Sequence, residues 1–333
     1  MICSMTKQST RLPRFSRFEY VSDLLDTASE GTDWDTIEKS LTKRKYEFER
    51  LKFSATGKGK RVLPKPTKSK DLTNDCISMA VKAGLITKND TYHTTENGQR
   101  LCGISKEFGA DDIHFKTDCL KMYFAAYPFA LDVLLAISKK EKAEIDFPDA
   151  RHVGHLTSIE IEDILGVKID AVSMGSLRDI FDQCGLINWK SITLNDLPYW
   201  KIFLTCKIYS NHEDTTGFLV KKDGKTYHIV INESDSESFE NALWREYMVL
   251  AENNSDIPVY YWDLRGRVCE TVRLPDHIYD TYFKKALSSD NLRMNWSAGA
   301  IPSGNTKGNL LKNLPPRQDN EFWMVYVSIS KRE

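Results

Sequence analysis

Lys58, Lys60 and Arg61 interleave with Gly57 and Gly59, and Lys65 and Lys68 follow beside Pro64 and Pro66. Cations next to residues that allow close backbone approach suit contact with phosphate oxygens. The stretch Lys43–Lys70 holds eleven Lys or Arg against two acids, Glu47 and Glu49, a net +9; with −1 for the whole chain, the remainder carries −10. A basic segment set against an acidic body is a focused footprint for a polyanion. A merely solvated loop is the competing reading.

A second pattern lies just downstream. In KDLTNDCISMAVKAGLI, the residues Leu72, Cys76, Met79, Ala80 and Ala83 recur at three- and four-residue spacing and predict one buried helix face. The opposite stripe is Asn74, Ser78 and Lys82. Asn pairs bidentately with adenine, Ser suits several base edges, and Lys suits guanine or phosphate. Asp75 beside them would repel phosphate, and a plain polar helix face is the alternative. Ser176 and Arg178 are the candidate base contacts on a later helix, SMGSLRDIFDQCGLI.

These side chains need elements to hold them. Helical spacing predicts a helix in Phe18–Ala28 and another in Asp33–Leu41, with Gly84 stopping the third at a left-handed position. Leu85 and Ile86 re-enter the core, Asn89-Asp90 turn the chain, Tyr92–Thr94 read as a strand, and Thr95 caps a further helix. Helix, stop, apolar pair, turn and strand is the order of a winged helix, whose third helix enters the major groove. Leu120–Ile137 is apolar on most faces and reads as a buried connector, broken at Tyr127-Pro128. Leu156–Gly166 is a capped helix, Ser173–Ile187 repeats the third-helix design, and TLNDLPYWKIFLTCKIY returns as turn and strand. GLI recurs at 84–86 and 185–187.

The succession of the first wing TYHTTENGQRL, the AAYPFALDVLLAI helix and a helix ending in CGLI resembles the DNA-recognition region of FokI-type (type IIS) restriction endonucleases, over about residues 18–210. That resemblance implies tandem winged-helix subdomains reading a short asymmetric site in double-stranded DNA, with a separate nuclease domain cutting nearby. The departure is the nuclease, which has no visible counterpart.

The expected fold class is thus α+β with a mainly helical N-terminal part: winged-helix domain 1 with its basic insertion (17–115), winged-helix domain 2 (116–212) and a small α+β module of unassigned role (213–333). In the module, Gly217–Asn232 reads as a hairpin about Lys222-Asp223-Gly224, SESFENALWREYMVLAE as a helix, IPVYYWDLRGRVCETVRL as a second hairpin, DHIYDTYFKKALSS as a helix and EFWMVYVSI as a last strand.

Chemistry beyond binding finds little footing. A Mg²⁺-dependent PD-(D/E)xK nuclease needs an Asp and then a carboxylate-x-Lys on one sheet edge. Asp223, Glu233, Asp235, Asp263 and Glu270 are present, but the nearest pattern is Glu270–Arg273, ETVR, so no catalytic residue is assigned. His212, His228 and His277 are isolated, and Arg265 and Arg267 about Gly266 suit either a DNA contact or a packed hairpin. The seven cysteines form no CxxC pair, which predicts free thiols in a reducing cytoplasm, no metal centre and no cofactor unless Mg²⁺ serves a nuclease. No run approaches the roughly 20 apolar residues of a membrane span. Three functions fit: a DNA-recognition protein of a restriction or defence system, alone or beside a nuclease or methyltransferase subunit; an endonuclease with a divergent Mg²⁺ site in residues 215–333; or a winged-helix transcription regulator.

Overall fold

The computed structural model describes residues 12–55, 70–148, 165–166, 169, 171–210, 217–255, 257–298 and 324–332. The chain is mixed α and β, with several small antiparallel sheets.

The first unit comprises α1 (Glu19–Thr27), α2 (Trp34–Ala55), α3 (Lys70–Lys82), β1 (Ile86–Lys88) and β2 (Tyr92–Thr94). Between α1 and α2, Thr32 bridges Tyr92 of β2 through reciprocal backbone bonds of 3.0 and 2.8 Å. Thr32 therefore acts as a one-residue strand paired to β2, which pairs to β1. The apolar stripe of α1 (Val21, Leu24, Leu25) packs against α2 and α3. α2 runs fourteen residues past the predicted Leu41, because no Gly or Pro interrupts KRKYEFERLKFSA before Gly57.

α4 (Glu96–Phe108), N-capped by Thr95, leads to α5 (Ile113–Ala126) and α6 (Pro128–Ser138). The predicted break at Tyr127-Pro128 is present: the two helices meet at 103°. Both bury most of their apolar residues, and among the described residues no single helix is long and apolar enough to cross a membrane.

The second unit continues from α6 through β3 (Glu144–Pro148), α7 (Ala171–Gln183), β4 (Ile187–Leu194) and β5 (Leu197–Leu204). The helix expected at Leu156–Gly166 lies almost wholly outside the described residues. The sheet order is β3-β5-β4, so the first strand again pairs with the third. Asn195 and Asp196 join β4 to β5 with φ of 49° and 62°, a two-residue turn with both residues left-handed. A further sheet, β6-β8-β7, follows from β6 (Cys206–Ser210), β7 (Phe218–Lys222) and β8 (Lys225–Ile231), which includes the expected Gly217–Asn232 hairpin.

In the remainder the two expected helices and the last strand are present and the second hairpin is not. α8 (Ser236–Leu250) is capped by Asp235, and β9 is only Val259–Tyr260. Tyr261–Val272 is a helix, α9, where the sequence suggested a hairpin. Its buried residues Tyr261, Leu264, Arg265, Val268 and Cys269 have helical spacing, and burying that face overrides the β-preference of Tyr260-Tyr261-Trp262. Then come α10 (Asp276–Ala286), β10 (Leu292–Ala298) and β11 (Met324–Lys331), in a sheet of order β10-β11-β9. Helix, strand, helix, helix, strand, strand, with the first strand paired to the third, thus occurs in this unit as well.

One apolar core runs from Leu12 to Ile229 and a second from Phe239 to Ile329. Because β6 pairs with β8, the division falls near Ser236 and not at the expected 212/213. Polar bonds join the two parts. Asn188 donates to Asp276 at 2.7 Å and to the Leu274 carbonyl at 3.3 Å; Arg273 meets Glu144 at 3.0 Å, and Lys190 meets Glu270 at 2.5 Å.

Candidate nucleic-acid interface

The third helix of the first unit ends as the sequence predicts. Gly84, at φ 67°, donates to the Val81 carbonyl, and Leu85 donates back to Ala80 at 2.8 Å, closing a Schellman motif. Leu72, Thr73, Asp75, Cys76, Ile77, Met79 and Ala80 face inward. Lys70, Asn74 and Lys82 are exposed and Ser78 is half-buried. Each expected contact residue also has a neighbour within the chain. Asn74 Oδ1 accepts from Trp34 Nε1 at 3.0 Å, and the Lys82 ammonium lies 4.7 Å from the centre of the Tyr127 ring. Burial pushes the Tyr127 phenol up, against a smaller opposing pull from Ser78. Asp75 is buried and accepts the Arg14 backbone N–H at 2.8 Å, so it does not confront an approaching phosphate as the sequence suggested.

The hairpin after α3 exposes Thr87, Lys88, Asn89 and Asp90, with Lys88 over the Tyr92 ring. Of the basic segment, Arg44 is neutralised: it grips Asp23 through two bonds of 2.5 and 2.6 Å. Lys43 is exposed. Lys58, Lys60, Arg61, Lys65 and Lys68 lie outside the described residues.

The second unit is different. Arg178 is only 9% exposed and does not face outward. Its guanidinium lies 3.7 Å from the Trp189 ring centre and 3.9 Å from that of Trp200, and it bonds Asp179 at 2.6 Å. The expectation that Arg178 touches DNA is therefore corrected: two tryptophans hold it as part of the core. Ser176 is half-buried beside it. At the end of α7, Gln183 donates to the Ser16 carbonyl and accepts from the Phe18 N–H, fastening the N-terminal segment to this helix.

Arg265 and Arg267 are likewise committed. Arg265 is 2% exposed and bonds both Asp280 oxygens, while Arg267 bonds Glu246 at 3.0 Å. The candidate nuclease acids are dispersed. Asp235 caps α8, Glu270 is ion-paired to Lys190, and Asp263 stands on α9 with its carboxyl pushed up by burial. Among the described residues no three His, Cys, Asp or Glu side chains gather as metal ligands, and the cysteines are buried free thiols. Burial pushes the Cys206 thiol up to about 12, which keeps it protonated and unreactive.

The helix that the sequence shows but to which it assigned no contact residue is α10, the third helix of the last unit. Its signal was the spacing of Tyr279, Phe283 and Ala286, all buried, beneath Lys284 and Lys285. No protein family, curated protein or solved structure matches this chain.

Proposed function

We propose that this chain binds double-stranded DNA sequence-specifically, through winged-helix units arranged in tandem, as a recognition component of a restriction or related defence system. The observation that carries the reading is the recurrence of one topology. In the first and last units a helix, strand, helix, helix, strand, strand succession has its first strand, Thr32 alone in the first unit, paired to its third, and among the described residues of the middle unit β3 likewise pairs with β5. That arrangement presents the third helix and the loop between the last two strands, the two parts such folds use on DNA. The net +9 of residues 43–70 adds the charge that duplex affinity requires. The defence-system part rests on the resemblance to FokI-type recognition regions.

The test is a fluorescence-anisotropy titration of the full chain with a labelled 30-base-pair duplex over a series of NaCl concentrations. Binding that weakens linearly in log K against log salt is expected. Absence of binding at low salt refutes the proposal. Incubation with plasmid and Mg²⁺ addresses the endonuclease alternative: discrete cleavage would assign catalysis to this chain as well.

A further inference from the structure

The exposed face of α10 differs from those of α3 and α7. Turning 100° per residue, Thr281, Lys284 and Lys285 fall on the side opposite the buried Tyr279, Phe283 and Ala286, and all three are exposed. No acid shares that stripe. The two acids of the helix are engaged elsewhere: Asp280 by Arg265 and the Tyr261 hydroxyl, and Asp276 by Asn188. Lys285 leans over the Tyr282 ring at 5.3 Å, and neither Lys284 nor Lys285 has an ion-pair partner among the described residues. By contrast, α7 carries Asp179 and Asp182 and is fastened to the N-terminal segment through Gln183. Its one basic residue, Arg178, lies against two tryptophans.

We infer that α10 is a second DNA-contact helix, with Lys284 and Lys285 holding duplex phosphates beside Thr281, and that the middle unit is a spacer between α3 and α10. This rests on the DNA-binding reading given above. Charge complementarity selects the occupant, because the stripe presents two ammonium groups that have no ion-pair partner among the described residues, while the Thr281 hydroxyl is held by the His277 carbonyl at 3.1 Å. Asn188 donates to Asp276 at 2.7 Å, a direct polar link between the middle unit and α10.

The experiment compares the full chain with Lys284→Ala/Lys285→Ala and Lys284→Arg/Lys285→Arg, using a random-sequence duplex and several NaCl concentrations. Two lost phosphate contacts at about 0.9 each reduce the slope of log K against log salt by about 1.8 in the alanine variant. The arginine variant retains the parent slope. Asn74→Ala/Lys82→Ala, on α3, reports independently on DNA binding. If the parent binds and the α3 variant is impaired while the Lys284/Lys285 alanine variant keeps full affinity and slope, α10 is not a contact helix although the DNA reading stands. If the arginine variant loses as much as the alanine variant, the effect is structural and the inference fails. If the parent binds no duplex, the DNA reading fails and this inference fails with it.

Discussion

The Thr205 hydroxyl donates to the Gly185 carbonyl at 2.8 Å, and its backbone N–H donates to Leu186 at 3.0 Å. Thr95 does the same in the first unit, to Gly84 at 2.7 Å and Leu85 at 2.9 Å. In the last unit the backbone part alone persists, from Arg332 to Asn291 at 3.1 Å. Each backbone bond ties the residue after the third strand to the residue before the second, and each hydroxyl bond reaches the glycine before that, so together they fix how the third helix joins the sheet. Thr205 is fully buried, and Thr205→Val leaves the Gly185 carbonyl without its side-chain donor. The expected loss is about 1–3 kcal/mol in chemical denaturation. Thr95 is partly exposed and also caps α4 through Gly98, so Thr95→Val should cost about 1 kcal/mol. Equal and negligible effects at both sites would show that these bonds do not hold the units in shape.

Arg178 gives a prediction of the opposite kind, about stability without binding. Lys in its place keeps the charge but not the guanidinium's close contact with both Trp189 and Trp200. Arg178→Lys should therefore destabilise the fold by about 1–2 kcal/mol, part of two desolvated cation–π contacts. DNA affinity per folded molecule should not change. A variant of parent stability with weakened binding would put Arg178 back on the surface.

Gly266 separates a helix from a hairpin in residues 261–272. A Cβ built there meets nothing within 4 Å, and Gly266 lies mid-helix in α9. Gly266→Ala should stabilise the chain by about 0.5–1 kcal/mol. Destabilisation would contradict a helix at this place.

Glu144 links acidity to the joint between the two cores. Burial pushes its carboxyl up, but Arg273 and Lys201 outweigh that and hold it below the ordinary glutamate value of 4.5. A folded pKa below the unfolded one means the contribution is complete above the unfolded value and is lost as pH falls through the folded one. Acid melting between about pH 5 and 3 should thus be shallower for Glu144→Gln than for the parent. Parallel acid transitions would show that the Glu144–Arg273 pair adds nothing.

The first unit could be read from its sequence because its signals are local: apolar spacing in α3, a glycine stop, a short turn and a Thr cap. The stop at Gly185 repeats this, and both glycines adopt left-handed conformations, with φ of 67° and 71°. Arg178 was misplaced because the tryptophans that hold it lie on β4 and β5, beyond any window of helical spacing. α9 was hidden by Tyr260-Tyr261-Trp262, whose residue types favour strands, and by Gly266, which weakens a helix. The strand pairing of the last unit joins Val259–Tyr260 to Tyr326–Val327, a separation no local pattern reveals.

Sequence-specific recognition by units of unlike surface requires one asymmetric DNA site, and selection from a random duplex library tests that directly. The full chain is incubated with a pool of randomised duplexes, bound DNA is recovered over several rounds, and the recovered sequences are read. One enriched motif without twofold symmetry is the expected result. Recovery of DNA with no enriched motif, or no DNA retained above background, would contradict sequence-specific duplex binding by this chain.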